Sequence, residues 1–141
     1  MNTEQLEKIR WLERAFYAEK LAKAYLEKCE RERSLAQRLS RTFSESSGSS
    51  GNSTEDALIR LAVTERQTQE KLRELVRIRE EISEAIQQVQ EPDLQAVLVW
   101  HYLNYFTFEQ TAEKMHYSER TVRRKHLIAL EKLVLECPVE M

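Results

Sequence analysis

The chain has 141 residues, a third of them charged, with 22 Lys and Arg against 24 Asp and Glu and a formal net charge of −2. Only two glycines and two prolines occur among residues typical of long helices, which argues against a fold of turns and strands and sets the expected class as all-α. There is no run of about eighteen apolar residues, and the acidic start MNTEQLE is unlike a signal or transit peptide, so a cytoplasmic location with no membrane partner is expected.

The first predicted element runs from about Thr3 to Phe43, where Leu6, Ile9, Leu12, Phe16, Leu21, Tyr25, Leu26, Leu35, Leu39 and Phe43 recur with imperfect helical periodicity. Within it, EKCERER from Glu27 to Arg33 offers little to bury. The stretch SESSGSSGNST, residues 44–54, reads as a polar linker. A second helix is predicted from about Glu55 to Gln90. One frame passes in steps of three and four through Leu58, Leu61, Glu65, Thr68, Leu72, Leu75, Arg79, Ile82, Ile86 and Val89. Seven of those ten positions are apolar, which makes the frame a heptad seam with three polar interruptions.

As helices the two segments would be about 60 and 54 Å long. Eleven flexible residues span roughly 18 Å, more than the separation of packed helices, so an antiparallel hairpin closes within one chain. The alternative is pairing of the seam with a second chain, with Glu65, Thr68 and Arg79 setting register. A homo-oligomer, with a dimer favoured, is expected because an isolated hairpin buries little. Cys29 and Cys137 lie far apart without a CxxC and are expected to be reduced structural thiols.

Gln90-Glu91-Pro92-Asp93 breaks the chain, and Pro92 suits the first turn of a new helix. The expected division is therefore a long helical hairpin over 1–91 and a C-terminal domain over 92–141. Within the latter, Thr107 is a good N-cap and Gln110 stands where its side chain completes a capping box, so a helix starts near Phe108. Phe108, Thr111, Ala112 and Met115 form its inner stripe, with Ala112 small enough for close approach of a second helix. His116-Tyr117 is the turn. Ser118 caps the next helix, and Tyr117 is expected to close over Val122 as a hydrophobic staple. Val122, Ala129, Leu130 and Leu133 supply the buried stripe, leaving Glu119, Arg120, Arg123 and Arg124 outside. From Ser118 to Ile128, Arg120, Arg123, Arg124 and Lys125 stand against Glu119 alone, a balance of 4 − 1 = +3. Two helices joined by a tight turn, the second opening on ERTVRRKH, form a unit suited to placing a basic helix in a DNA groove.

Leu94, Ala96-Val97-Leu98, Tyr102-Leu103, Phe108 to Met115, Ser118 to Arg124 and Ala129 to Leu133 together resemble region four of bacterial sigma factors, the part that reads the −35 promoter element. The whole chain is similar to small sigma-like transcription regulators of phages and mobile elements. The resemblance implies a helix-turn-helix domain, DNA binding, and RNA polymerase core as a candidate partner. The sequence departs from that pattern at His116 in the turn, at Lys125 where an aliphatic residue is usual, and at His101 where an Arg is usual. Lys125 is expected to pack its stem while its ammonium reaches outward.

The expected DNA-contacting set is Thr107, Ser118, Glu119, Arg120, Thr121, Arg123, Arg124, Lys125 and His126, with the helix from Ser118 in the major groove of double-stranded DNA. His126 is taken as a phosphate donor. Arg123 and Arg124 point about 100° apart, so one reads bases while the other holds a phosphate. The simpler reading of RTVRRKH is a solvated charged face. Trp100, Tyr102, Tyr105, Phe106 and Phe108 are expected in the core rather than stacking on bases. The three histidines show no ligand spacing, and no phosphate loop or nucleophile arrangement occurs; no cofactor, metal or enzymatic activity is expected. Two further classes remain: an oligomeric DNA-packaging component of the small-terminase type, and a helical scaffold without DNA binding.

Overall fold

The computed structural model describes residues 2–45 and 51–135, all-α with no strand among them. Its elements are α1 (Thr3–Glu45), α2 (Gly51–Gln87), α3 (Pro92–Leu98), a π-helical turn (Val99–Leu103), α4 (Phe108–Met115) and α5 (Glu119–Lys132). No helix among the described residues is long and apolar enough to cross a membrane. Residues 46–50 of the expected linker, and Cys137, lie outside the described residues. At its edges that linker is helical, since α1 runs through Glu45 and α2 begins at Gly51. Cys29 is a free, buried thiol.

The chain divides into two compact units, one of residues up to Tyr17 and from Val76, the other Ala18–Leu75. The division therefore falls inside α1 and α2, away from residue 91. In the Ala18–Leu75 unit the two helices run antiparallel, as the Arg33–Glu65 ion pair at 3.1 Å and the hydrogen bond from Thr68 Oγ1 to Tyr25 O at 3.3 Å require. The buried positions of α1 are Ala22, Cys29 and Ala36, seven residues apart, and those of α2 are Ala57, Thr64 and Thr68. Small side chains on both helices let the backbones approach closely.

Within this unit, that closeness corrects the predicted seam by one residue at two positions. Ala57 and Thr64 are buried, whereas Leu58 is 49% exposed and Glu65 is exposed. A leucine in the middle of the seam would hold the helices apart, so the bulkier residue lies on its flank. Thr68 stays buried because its hydroxyl also reaches Thr64 O, at 2.7 Å. The polar residues expected to set register with a second chain have partners within this one: Glu65 pairs with Arg33, Thr68 bonds Tyr25, and Arg79 donates to Leu103 O and Tyr105 Oη at 2.9 and 2.8 Å.

The other unit holds the main core. Leu12 and Ala15 of α1, Ile78, Ile82 and Ile86 of α2, Leu94, Val97 and Leu98 of α3, and Val122, Ala129 and Leu130 of α5 are all buried. Helix α2 stops at Gln87, before the expected Gln90, and the Gln95 side chain donates to Val89 O at 2.9 Å just beyond that end. Pro92 opens α3 as predicted. At the far end of α5, Lys8 Nζ donates to Leu130 O at 2.8 Å, satisfying a carbonyl in the last turn. Lys132 pairs with Glu91 and Arg14 with Glu81.

Between α3 and α4 the chain widens into the π-turn, closed by Asn104 N–H to Val99 O at 3.0 Å. Phe106 N–H returns to Trp100 O at 3.0 Å, and Tyr105 takes a left-handed backbone at φ 62°. For a non-glycine residue that conformation costs about 1–2 kcal/mol. Here Tyr105 is held by Arg79 and by its own hydroxyl, which donates to Ala15 O at 3.3 Å.

Candidate nucleic-acid interface

Both entry points of the predicted two-helix unit form as the sequence implies. Thr107 Oγ1 accepts from Gln110 N–H at 3.1 Å, and Gln110 Oε1 accepts from Thr107 N–H at 3.0 Å, a complete capping box. Replacing Thr107 by alanine is expected to cost about 1 kcal/mol, seen as a lower midpoint in urea denaturation with an unchanged slope. Ser118 Oγ accepts from Thr121 N–H at 3.1 Å and starts α5 at Glu119. Between the helices His116 adopts φ 61°, ψ 40°, so the histidine does take the left-handed position that glycine or asparagine more often fills. Tyr117 N–H then returns to Ala112 O at 3.0 Å, closing the turn.

Val122 packs with Val97 and Ala112, and with Phe108 and Met115. Tyr117 donates its hydroxyl to Asp93 Oδ2 at 2.6 Å, tying the turn to the start of α3. That bond, together with Lys125 nearby, holds the Asp93 carboxyl below its ordinary range. Lys125 Nζ stands 3.5 Å from Asp93 and 5.2 Å from the centre of the Tyr117 ring, with a quarter of its side chain exposed. It packs its stem as expected, but its ammonium is turned toward an acid of the same chain.

His126 differs most from expectation. It is 5% exposed, and its Nε2 lies 2.6 Å from the Tyr102 hydroxyl, so it belongs to the core and leaves the phosphate-contacting set. The signal was present, since residue 126 falls four after Val122 and four before Leu130 on the apolar stripe. His101 is packed beside it, 4.0 Å centre to centre from the Phe108 ring, with Nδ1 2.6 Å from Phe106 O. Burial depresses both histidines, His126 to about 4, and the nearby Arg123 cation adds to the effect. Both are neutral near pH 7. Burial likewise pushes the Tyr102 phenol well above its ordinary value.

The outer face of α5 separates into paired and unpaired cations. Arg123 Nη2 meets Glu119 Oε2 at 2.7 Å, and its guanidinium lies 4.9 Å from the centre of the Phe108 ring. Arg120 and Arg124 are exposed and carry no ion pair with the described residues. Four residues apart on one helix, they share a face and present adjacent guanidinium groups. Setting Asp93 against Lys125 reduces the local balance from +3 to +2, the charge of Arg120 and Arg124. Of the other expected residues, Thr107 and Ser118 serve as caps, Thr121 donates its N–H to one of them, and Glu119 neutralises Arg123. Lys114, absent from the expected set, is an exposed cation 5.8 Å from the ring centres of both Trp100 and Phe106, which stack on each other. Its position late in α4 gave no sequence signal, because the aromatic pair forms only through the chain reversal around Tyr105.

These elements define an all-α protein with a capped helix-turn-helix unit whose second helix carries two uncommitted arginines. The chain belongs to the family described as protein of unknown function (DUF1492), which matches residues 38–134. No curated protein matches it, and no solved structure does.

Proposed function

We propose that the protein is a DNA-binding transcription regulator of the sigma-like kind found in phages and mobile elements, acting by binding rather than catalysis. The observation that carries the reading is the pair Arg120 and Arg124, exposed and without an ion pair among the described residues, on a helix whose start is fixed by Ser118. Helix α5 enters the major groove with these two arginines at base edges or phosphates. Helix α4 crosses the backbone with its capped N-terminus toward a phosphate. A face carrying only +2 also fits a modest electrostatic footprint, in which sequence preference and additional partners contribute to affinity. RNA polymerase core is the partner that the sigma-like resemblance implies.

Fluorescence anisotropy with labelled promoter-region duplexes tests this reading. If Arg120 and Arg124 contact phosphates, log K falls with log salt at a slope of about −2. A slope near zero, or no binding to any duplex at low salt, would overturn it.

We also propose that the protein works as a dimer. In the Ala18–Leu75 unit the buried residues are small, while Leu21, Leu26, Leu35, Leu58, Ile59 and Val63 remain 41–62% exposed. Two such hairpins side by side would cover those of these residues that share a flank, in a four-helix arrangement, and the dimer would carry two helix-turn-helix units. Sedimentation equilibrium should give twice the chain mass at micromolar concentration, shifting to monomer when Leu58 and Ile59 are both replaced by serine. A strictly monomeric native chain would contradict the proposal.

A further inference from the structure

A cavity of about 190 Å³ lies in the unit that holds the helix-turn-helix, lined by Glu13 and Phe16 of α1 and by His101, Tyr102, Tyr105, Phe106 and Thr107. Two uncommon backbone features shape its wall: the π-turn, which supplies His101 and Tyr102, and the left-handed Tyr105. Such departures persist where surrounding structure enforces them, and they concentrate at ligand sites. At this size the cavity is below the ~300 Å³ at which drug-sized pockets begin, so it suits a small ion.

The chemistry of the lining narrows the class of ion. Four aromatic side chains contribute, and aromatic faces attract cations. Most of the polar atoms are already engaged. Phe106 O meets His101 Nδ1, Thr107 Oγ1 accepts from Gln110 N–H, and the Tyr102 hydroxyl meets His126 Nε2. The Tyr105 hydroxyl accepts from Arg79 and donates to Ala15 O. Glu13 differs from these. It is half-buried and makes no hydrogen bond or ion pair with the described residues. With His101 neutral, Glu13 carries the only formal charge of the lining; Arg79 lies against the Tyr105 ring but does not line the cavity.

A primary ammonium needs several acceptors, and the cavity offers one carboxylate. A methylated ammonium needs few or none and gains from each ring. From four aromatic rings lining the same cavity as the Glu13 carboxylate, which has no hydrogen bond or ion pair among the described residues, we infer that this cavity binds a small quaternary or methylated ammonium ion. The cavity wall runs directly into Thr107, the cap of α4, so occupancy bears on the segment that sets the start of the helix-turn-helix.

The test uses the full chain without DNA, and its outcome is therefore independent of the DNA-binding reading. Choline is titrated into ¹⁵N-labelled protein and compared with 3,3-dimethyl-1-butanol, its neutral isostere. Saturable shifts centred on Tyr102, Tyr105, Phe106 and Thr107 are expected for choline, with the isostere and the Glu13→Gln variant each binding at least about tenfold more weakly. Phe16→Leu should likewise weaken choline binding. A linear, non-saturating response to choline, or equal affinity for the isostere, would overturn the inference. Because the isostere comparison uses the native chain, it decides the matter even if a variant fails to fold.

Discussion

Replacing Arg120 and Arg124 together by alanine is expected to weaken duplex DNA binding by about a hundredfold or more, as the loss of two contacts worth roughly 1–3 kcal/mol each implies. Both side chains are exposed and have no ion pair with the described residues, so thermal stability should change little. The informative contrast is the double variant Glu119→Ala, Arg123→Ala. It removes an ion pair of zero net charge whose arginine already packs on Phe108, and it should change affinity only a few-fold. Removing the pair together avoids leaving Glu119 as an unpaired anion facing the DNA. Anisotropy titrations of the two double variants at one salt concentration compare them directly. If the Glu119/Arg123 variant lost as much affinity as the Arg120/Arg124 variant, the division of the α5 face into committed and free cations would be wrong.

Lowering the pH from 7 toward 4 is expected to destabilise the fold by up to about 3 kcal/mol through His126 alone. Its folded value is depressed to about 4 from an ordinary 6.5, because burial disfavours the imidazolium and the neighbouring His101 and Arg123 add to that. The unfolded chain therefore binds a proton between pH 6.5 and 4 that the folded chain refuses. Stability from this source is fully present above pH 6.5 and declines as the pH falls to 4. Asp93 and Glu91, whose carboxyls are held below the ordinary range by Tyr117 and Lys132, lose their contribution at still lower pH. Urea denaturation at a series of pH values checks this, with His126→Gln as the comparison. The variant should show a flatter profile between pH 6.5 and 4, and an identical slope would remove His126 as the cause.

Much of the C-terminal unit was legible because its determinants are local. Thr107 with Gln110, Ser118 with Thr121, and Pro92 at the start of α3 act over three or four residues, and each works as the sequence implies. His126 was equally local and was misread because a histidine beside RRK suggests a surface, although its spacing from Val122 and Leu130 puts it on the buried stripe. The seam of the hairpin was legible to within one residue. Hydropathy ranks Leu58 above Ala57, but two helices packed through Ala22, Cys29 and Ala36 prefer the smaller side chain at the point of contact.

What could not be read depends on residues distant in sequence. Lys8 meets Leu130 O, and Arg79 fixes Tyr105, across separations that no periodicity encodes. Lys125 reached Asp93 because Tyr117 holds that carboxylate in place. The π-turn and the left-handed Tyr105 carry no glycine or proline to announce them. The +3 face read from the sequence therefore resolves into two arginines without an ion pair among the described residues only once the fold brings Asp93 to Lys125.

The most direct measurement of the central claim is selection of genomic DNA fragments by the purified chain, followed by sequencing of what is retained. The account predicts fragments enriched around promoters and sharing a short −35-like element, with that enrichment lost in the Arg120→Ala, Arg124→Ala variant. Retention of no duplex, or equal enrichment by native and variant chains, would contradict it.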